Sequence, residues 1–313
     1  MSTPPSLNEE AMLASQEARA KPRKLSRAEQ RAVEAKTKLS SPWASLLAIV
    51  IAVLWTIPTF GLLVTSFRPQ EDINNSGWWT VLSDPSFTLE NYEEVLFGRL
   101  DLGTSFINSV VITIPAVVIP ITIALLAAYA FAWIEFPFRN VLFVAVFALQ
   151  VVPIQVTLIP LLTAYVDAGL AGSFWTIWIS HSIFALPLAI FLLHNFMKEV
   201  PKSLIEAATV DGAGHVKIFF QVLLPLLVPA IVAFGIFQFL WVWNDLLVAL
   251  TFAGGSPDVA PLTVDIAELA GTRGQDWYLL SAGAFISMAV PLIVFISLQR
   301  FFVRGLLAGS VKG

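Results

Sequence analysis

The chain has 313 residues, of which 57% are hydrophobic and 13% are charged, and none is cysteine. The absence of cysteine excludes disulfides, thiolate nucleophiles and cysteine-based metal sites. A mean hydropathy of +0.78 excludes an ordinary soluble domain, and the net charge of −4 says little about partners because it averages basic and acidic segments.

Six windows of the sequence contain no charged side chain, and each exceeds the roughly 20 residues that a helix needs to cross a bilayer. Lipid leaves backbone polar groups without partners, so only helices or closed barrels span it, and these runs lack the alternation of barrel strands. The sequence therefore predicts an all-α polytopic membrane protein with six transmembrane helices. We place them near residues 43–67, 105–133, 141–163, 173–195, 222–251 and 279–303.

Lysine and arginine are concentrated on one side of this arrangement. Of the 18 such residues, 15 lie within residues 1–42, 134–140, 196–221 and 300–313. Because Lys and Arg collect in cytoplasmic loops, both termini are predicted to be cytoplasmic. Residues 1–42 are expected to form a disordered or weakly helical basic tail near anionic lipid, and residues 43–313 the transmembrane domain.

The fifth window carries polar side chains at helical spacing. Phe234, Gln238, Trp241 and Asp245 follow one another at intervals of four, three and four residues, which predicts that they share one helix face. Aromatic rings alternating with amide or carboxylate groups suit a sugar, whose rings stack and whose hydroxyls form hydrogen bonds. This face is therefore a candidate substrate pathway, together with Asn244.

Other interpretations of these polar residues stay open. Gln238 is equally explained as an amide that joins two helices within the membrane, and Asn244 and Asp245 as residues of the outer headgroup zone. Gln150 and Gln155 in the third window can likewise be explained either as residues of the substrate pathway or as amides that join helices. His181, in the fourth window, is expected to form an interhelical hydrogen bond.

The loop 196–221 interrupts the apolar sequence with KEVPKSLIEAATVDGAGHVK. Pro201 suits the first turn of a helix that continues through KSLIEAATV, and Gly212 suits the left-handed conformation that ends it. A second helix is predicted from His215 into the fifth span. Ala207 and Ala208 would let another protein approach the backbone closely, although an interfacial helix with no partner has the same pattern.

The spacing of this loop resembles the cytoplasmic signature of bacterial ABC-importer permeases: Glu-Ala-Ala, three residues, Gly, nine residues, then Ile-x-Leu-Pro. The matching residues, with valine in place of isoleucine, are Glu206, Ala207, Ala208, Gly212, Val222, Leu224 and Pro225. The segments AYAFAWIEFPFRN (128–140), EVPKSLIEAATVDGA (199–213) and QRFFVRGLLAGSVKG (299–313) resemble the second permease of the maltose-type carbohydrate importers. The resemblance covers residues 45–313.

The resemblance implies the type I permease fold of ABC importers in the bacterial or archaeal inner membrane. It implies a second permease, two ATP-binding subunits, an extracytoplasmic sugar-binding protein and a sugar substrate, with lipid around the chain. The loop 252–278 would contact the binding protein, and residues 306–313 would reach between the ATPase subunits. The residues implied in ATPase coupling are Glu206, Ala207, Ala208, Asp211, Gly212 and Gly214.

The sequence contains no G-x-x-x-x-G-K-[ST] phosphate loop, so ATP hydrolysis is expected on a partner chain. No catalytic residue, metal, cofactor or nucleic acid is predicted. A permease for a non-sugar solute is the alternative, and the GLLAGSVKG ending favours sugar, with GQDWYLLSAGAF (274–285) closest to the α-glucoside branch. An intramembrane enzyme is disfavoured because the spans contain no H-E-x-x-H motif and no close carboxylate pair.

Overall fold

The computed structural model describes residues 42–98, 101–253, 255–271 and 275–310, with side chains described up to Gln299. The predicted basic tail lies outside the described residues except for Pro42. Every regular element in the described part of the chain is a helix, which confirms the all-α prediction. The helices are α1 (Pro42–Ser66), α2 (Gln70–Asn75), α3 (Glu90–Phe97), α4 (Leu102–Trp133), α5 (Arg139–Ala148), α6 (Ile154–Asp167), α7 (Phe174–Glu199), α8 (Lys202–Val210), α9 (His215–Ile218), α10 (Leu224–Trp243), α11 (Leu247–Phe252), α12 (Leu262–Ala270) and α13 (Trp277–Ser310).

Five helical stretches in the described residues are long and apolar enough to cross a membrane. They are α1, α4, α7, the continuous run of α9 and α10, and the described part of α13. The described chain divides into two compact units between Phe60 and Gly61, within α1. The first unit presents the exposed apolar side chains of α1, and the second contains the packed helices described below.

The third window differs from the single span expected at 141–163. It is a bent pair in which α5, extended by a short 3-10 turn to Val151, meets α6 at an angle of 99°. The bend has a local cause, because Pro153 donates no backbone hydrogen bond and Val152 before it takes an extended conformation with ψ 120°. The pair counts as a sixth span only if both arms are taken together.

The fifth window also differs at its outer end. The helix that begins at His215 passes through a π-helical turn at Phe219–Leu223 and ends at Trp243, short of the predicted residue 251. A break at Asn244–Leu246 then separates it from α11. Asp245 lies in this break and accepts hydrogen bonds from the backbone N–H groups of Val248 and Ala249, at 3.3 and 3.0 Å.

Helix α4 is the central element of the second unit, packing against α7 and α10. Its contact face carries small residues, and Ala116, Ala124 and Ala128 are completely buried, as is Ala189 on α7. Small side chains let membrane helices approach closely, since packing rather than water exclusion drives their association in lipid. The core beside them contains larger side chains such as Leu193.

Candidate translocation groove and coupling segment

A groove of about 650 Å³ lies at the bend between α5 and α6 and is also lined by residues of α7 and α10. Its walls are mainly aliphatic and aromatic, and none of its 18 lining residues is charged. The residues with polar groups or aromatic rings are Gln150, Thr157, Phe184, Phe234, Phe237, Gln238 and Trp241.

The groove brings together four of the seven predicted pathway residues: Gln150, Phe234, Gln238 and Trp241. Gln155, in the first turn of α6, is exposed but is not part of the lining. Asn244 and Asp245 lie beyond the end of α10, so the helical face predicted to include Asp245 ends before it. Thr157 also lines the groove and was not among the predicted residues. Its hydroxyl within an apolar window could have marked it as a candidate.

Gln238 joins two helices and also faces the groove. Its side chain is 1% exposed, and its Nε2 donates a 3.1 Å hydrogen bond to the carbonyl oxygen of Ala116 on α4. Its Oε1 is buried and has no hydrogen-bond partner among the described residues. A buried acceptor without a partner costs about 1–3 kcal/mol.

His181 and Asp245 lie outside the lining of the groove. The His181 ring contacts Trp241 edge to face, with centroids 5.4 Å apart. His181 Nε2 lies 3.7 Å from Asp245 Oδ2, which is too long for a hydrogen bond. The backbone carbonyl of Asp245 accepts a 2.6 Å bond from the Thr263 hydroxyl. Asp245 therefore has a structural role in this break, capping α11 and holding Thr263 at the start of α12.

The coupling segment, residues 196–221, has the predicted helix, glycine turn and second helix. Gly212 has φ +79°, its N–H bonds to the Thr209 carbonyl at 3.0 Å, and the Ala213 N–H bonds to the Ala208 carbonyl at 2.9 Å. These two bonds form a Schellman motif, which satisfies the last carbonyls of a helix and requires a left-handed residue. The glycine is therefore needed for backbone conformation.

The two faces of α8 differ in exposure. Ile205 and Ala208 pack against the helical core, as does Ala213 of the turn. Of the residues implied in ATPase coupling, Ala208 is half-buried and the others are exposed: Glu206, Ala207, Asp211, Gly212 and Gly214. A Cβ atom added to either glycine would meet no atom within 4 Å, so the outer surface of the turn is open.

Tyr129 ties the coupling segment to α4. Its hydroxyl lies 2.8 Å from His215 Nδ1, and its ring contacts Phe219 edge to face, with centroids 5.4 Å apart. Sequence reasoning missed this contact because the two residues are 86 positions apart and nothing in their local patterns links them.

Residues 260–265 are anchored to the beginning of α4. Asn108 Nδ2 donates a 3.1 Å bond to the Ala260 carbonyl, Ser109 Oγ accepts a 2.8 Å bond from the Leu262 N–H, and the Ser105 hydroxyl donates to Asp265 on α12. Burial raises the pKa of the Asp265 carboxyl, against the lowering effect of the Ser105 hydrogen bond. No cluster of three or more potential metal ligands occurs in the described part of the chain.

Residues 120–307 match the family described as "binding-protein-dependent transport system inner membrane component". The chain belongs to this family. The osmoprotective compounds uptake permease protein GgtD of Synechocystis sp. is 56% identical over 268 residues, covering 84% of this chain and 90% of that protein. The alpha-glucoside transport system permease protein AglG of Rhizobium meliloti is 39% identical, covering 87% of this chain and 97% of that protein.

A third relative is the melibiose/raffinose/stachyose import permease protein MelC of Bacillus subtilis, which is 34% identical, covering 86% of this chain and 96% of that protein. Among solved structures, a chain of a bacterial ABC transporter that imports the acidic polysaccharide alginate superposes with a TM-score of 0.69 at 20% identity. The match covers 89% of this chain and 99% of that one. This likeness confirms the permease fold.

Membership of this family identifies the chain as a multi-pass inner-membrane subunit of an ABC importer. Permeases of this type work with a second permease, ATP-binding subunits and an extracytoplasmic binding protein. The protein is therefore a transport subunit and not an enzyme, since ATP hydrolysis belongs to its partner subunits.

The buried Asp265 carboxyl is expected to make stability depend on pH. Because the pKa of this carboxyl is raised in the folded protein, protonation favours folding, and the free energy of unfolding should rise as the pH falls through the raised pKa. In Asp265→Asn this contribution should disappear. Thermal unfolding of the assembled importer across a pH series measures this contribution, and Asp84→Asn, at an exposed position, is the control. Equal pH slopes of stability for Asp265→Asn and the wild type would contradict the prediction.

Proposed function

We propose that this chain forms half of the translocation pathway for an uncharged sugar or short oligosaccharide, which contacts the groove between α6, α7 and α10. The observation that carries this proposal is the composition of the groove wall. The groove lining contains amide and indole groups between aromatic and aliphatic side chains, and it contains no charged residue. Such a wall offers stacking to sugar rings and a few hydrogen bonds to hydroxyls.

The absence of charge in the groove narrows the substrate class. A carboxylate moved from water into a wall of this composition would lose several kcal/mol of hydration without a cation to compensate. The alginate importer is a structural neighbour that carries an acidic polysaccharide, and the present groove is unsuited to such a cargo. Relatives named for alpha-glucoside and for melibiose, raffinose and stachyose support an uncharged substrate, and we favour an α-glucoside.

Gln238 is the residue that we assign to hydrogen bonding of the substrate. Its Nε2 is already occupied by the Ala116 carbonyl, which fixes the orientation of the amide. Its Oε1, buried and without a described partner, would accept a hydrogen bond from a sugar hydroxyl. Trp241 lies one helical turn further along the same wall and would supply a stacking surface.

We also propose that the coupling segment docks on an ATPase subunit in the cytosol. Apart from the buried Arg68, the cations whose side chains the structure describes lie at the start of α5 and in the coupling segment: Arg139, Lys198, Lys202 and Lys217. Since basic residues mark the cytoplasmic side, this surface and both termini would be cytoplasmic. The small exposed residues around Gly212 would admit the partner, and the Tyr129 contact would pass its movement to α4.

Removing a groove contact should lower transport without preventing assembly. Losing one hydrogen bond or ring contact should cost about 1–3 kcal/mol, which is about 5- to 150-fold in apparent affinity. We therefore expect Gln238→Ala and Trp241→Ala to reduce sugar uptake by the reconstituted importer while subunit stoichiometry is unchanged. Trp175→Ala, an exposed tryptophan outside the groove, is the control. Wild-type uptake kinetics in both groove variants would refute the assignment.

The coupling turn offers a matched pair of glycines for testing the docking role. Both Gly212 and Gly214 have open space for a Cβ, but only Gly212 has a positive φ. An alanine in the left-handed conformation costs about 1–2 kcal/mol, so Gly212→Ala should distort the turn whereas Gly214→Ala should not. We expect binding-protein-stimulated ATPase activity to fall about fivefold or more in Gly212→Ala only. Equal activity in the two variants would count against a shaped docking turn.

A further inference from the structure

A small basic pocket lies where the ends of α4 and α7 meet the beginnings of α5 and α8. It has a volume of about 300 Å³ and is lined by three cationic side chains, Arg139, Lys198 and Lys202, together with the carboxylates Glu135 and Glu206. The cations come from three different helices, so only folding brings them together. The pocket retains one net positive charge after its own carboxylates are counted.

The cations of this pocket form no salt bridge in the part of the chain that the structure describes. Among the described residues, no salt bridge joins Arg139, Lys198 or Lys202 to a carboxylate. The Arg139 guanidinium is held in place by a 3.1 Å hydrogen bond from its Nη1 to the carbonyl oxygen of Ile134. Like charges held close together repel, and an anion placed between them removes that repulsion. The pocket is therefore suited to a phosphate group.

A further donor lies in the same pocket. The indole Nε1 of Trp133 is buried and has no hydrogen-bond partner among the described residues, and Trp133 is one of the lining residues. Tryptophan is enriched at the boundary between lipid tails and headgroups, where its ring is apolar and its N–H is satisfied by polar groups.

An apolar surface adjoins the basic pocket. Arg139 also borders a second cleft that contains Phe138 and Val141. Val141 and Val144 on the outer face of α5 are 65% and 63% exposed, and Phe138 is 78% exposed. Phe138 has φ +61°, a strained conformation for a residue with a side chain, and its ring stands out from the surface. A ligand with both an anionic group and an apolar chain would fit both clefts.

We propose that this pair of clefts binds an anionic phospholipid of the cytoplasmic leaflet. Its phosphate would lie among Arg139, Lys198 and Lys202, and an acyl chain would follow the exposed face of α5. This inference rests on the proposed orientation, in which this side of the chain is cytoplasmic. Free inorganic phosphate offers the same anionic chemistry but would gain nothing from the apolar face, so we assign the site to lipid.

The lipid would also affect the coupling segment. Lys202, Ile205 and Glu206 of α8 belong to the pocket wall, and Ile205 packs on the helical core as well. A headgroup bound there would hold the first turns of α8 against the ends of α4 and α7. The lipid would therefore stabilise the position of the docking helix without touching the sugar.

The test uses the complete importer, purified and placed in nanodiscs of phosphatidylcholine with a minor fraction of phosphatidylglycerol. Native mass spectrometry then measures how much phosphatidylglycerol is retained after transfer to detergent. Because one Lys or Arg near a membrane surface changes anionic-lipid affinity about fivefold, Arg139→Gln and Lys198→Gln should each reduce retention by about that factor. Lys217→Gln removes an exposed cation outside the pocket and should retain lipid as the wild type does.

Three results would overturn the proposal. The first is that Lys198→Gln and Arg139→Gln retain as much phosphatidylglycerol as the wild type does. The second is that Lys217→Gln loses as much phosphatidylglycerol as the two pocket variants do. The third is displacement of the lipid by inorganic phosphate at the same concentration, which would show that the anion alone is recognised. Sugar uptake by the same preparations separates this proposal from the proposed function. Specific lipid retention without sugar uptake would contradict only the proposed function. Sugar uptake without specific lipid retention would contradict only the lipid site.

Discussion

Helix α4 supplies the constraint on which the other functional features depend. Its first turns hold residues 260–262 through Asn108 and Ser109. Its middle binds the Gln238 amide through the Ala116 carbonyl. Its last turns hold the coupling segment through Tyr129. Buried alanines pack it closely against α7. In the function that we propose, a displacement at either end would therefore also move the groove wall, which would link ATPase docking to the substrate path.

Two interruptions of helical structure lie beside the regions assigned to function. Backbone without helical hydrogen bonds is tolerated at membrane depth only where it is enclosed by protein or lines a water-filled cavity. The break at Val152 and Pro153 borders the groove, since Gln150, Val152 and Ile154 are among its lining residues. The break around Asp245 is satisfied within the protein, because that carboxylate caps α11. The groove is therefore expected to contain water when no sugar is present.

The sequence was sufficient for the features that depend on local patterns. Charge-free windows predicted the long helices, and the residues around Gly212 predicted a helix, a left-handed turn and a second helix. It did not identify the bend at Pro153, because every predicted span contains proline and nothing local distinguishes a proline that breaks a helix from one, such as Pro120, that lies inside it. The contacts of Tyr129 with His215 and of Gln238 with Ala116 join distant segments, so only the assembled fold shows them.

The central claim is that this chain is a pathway subunit with no transport activity of its own. The most direct measurement is uptake of a radiolabelled uncharged α-glucoside into proteoliposomes, comparing the chain alone with the complete set of second permease, ATPase subunits, binding protein and ATP. We expect no uptake by the chain alone and ATP-dependent uptake by the complete set. Sugar uptake by the chain alone, or an equal rate without ATP in the complete set, would contradict it.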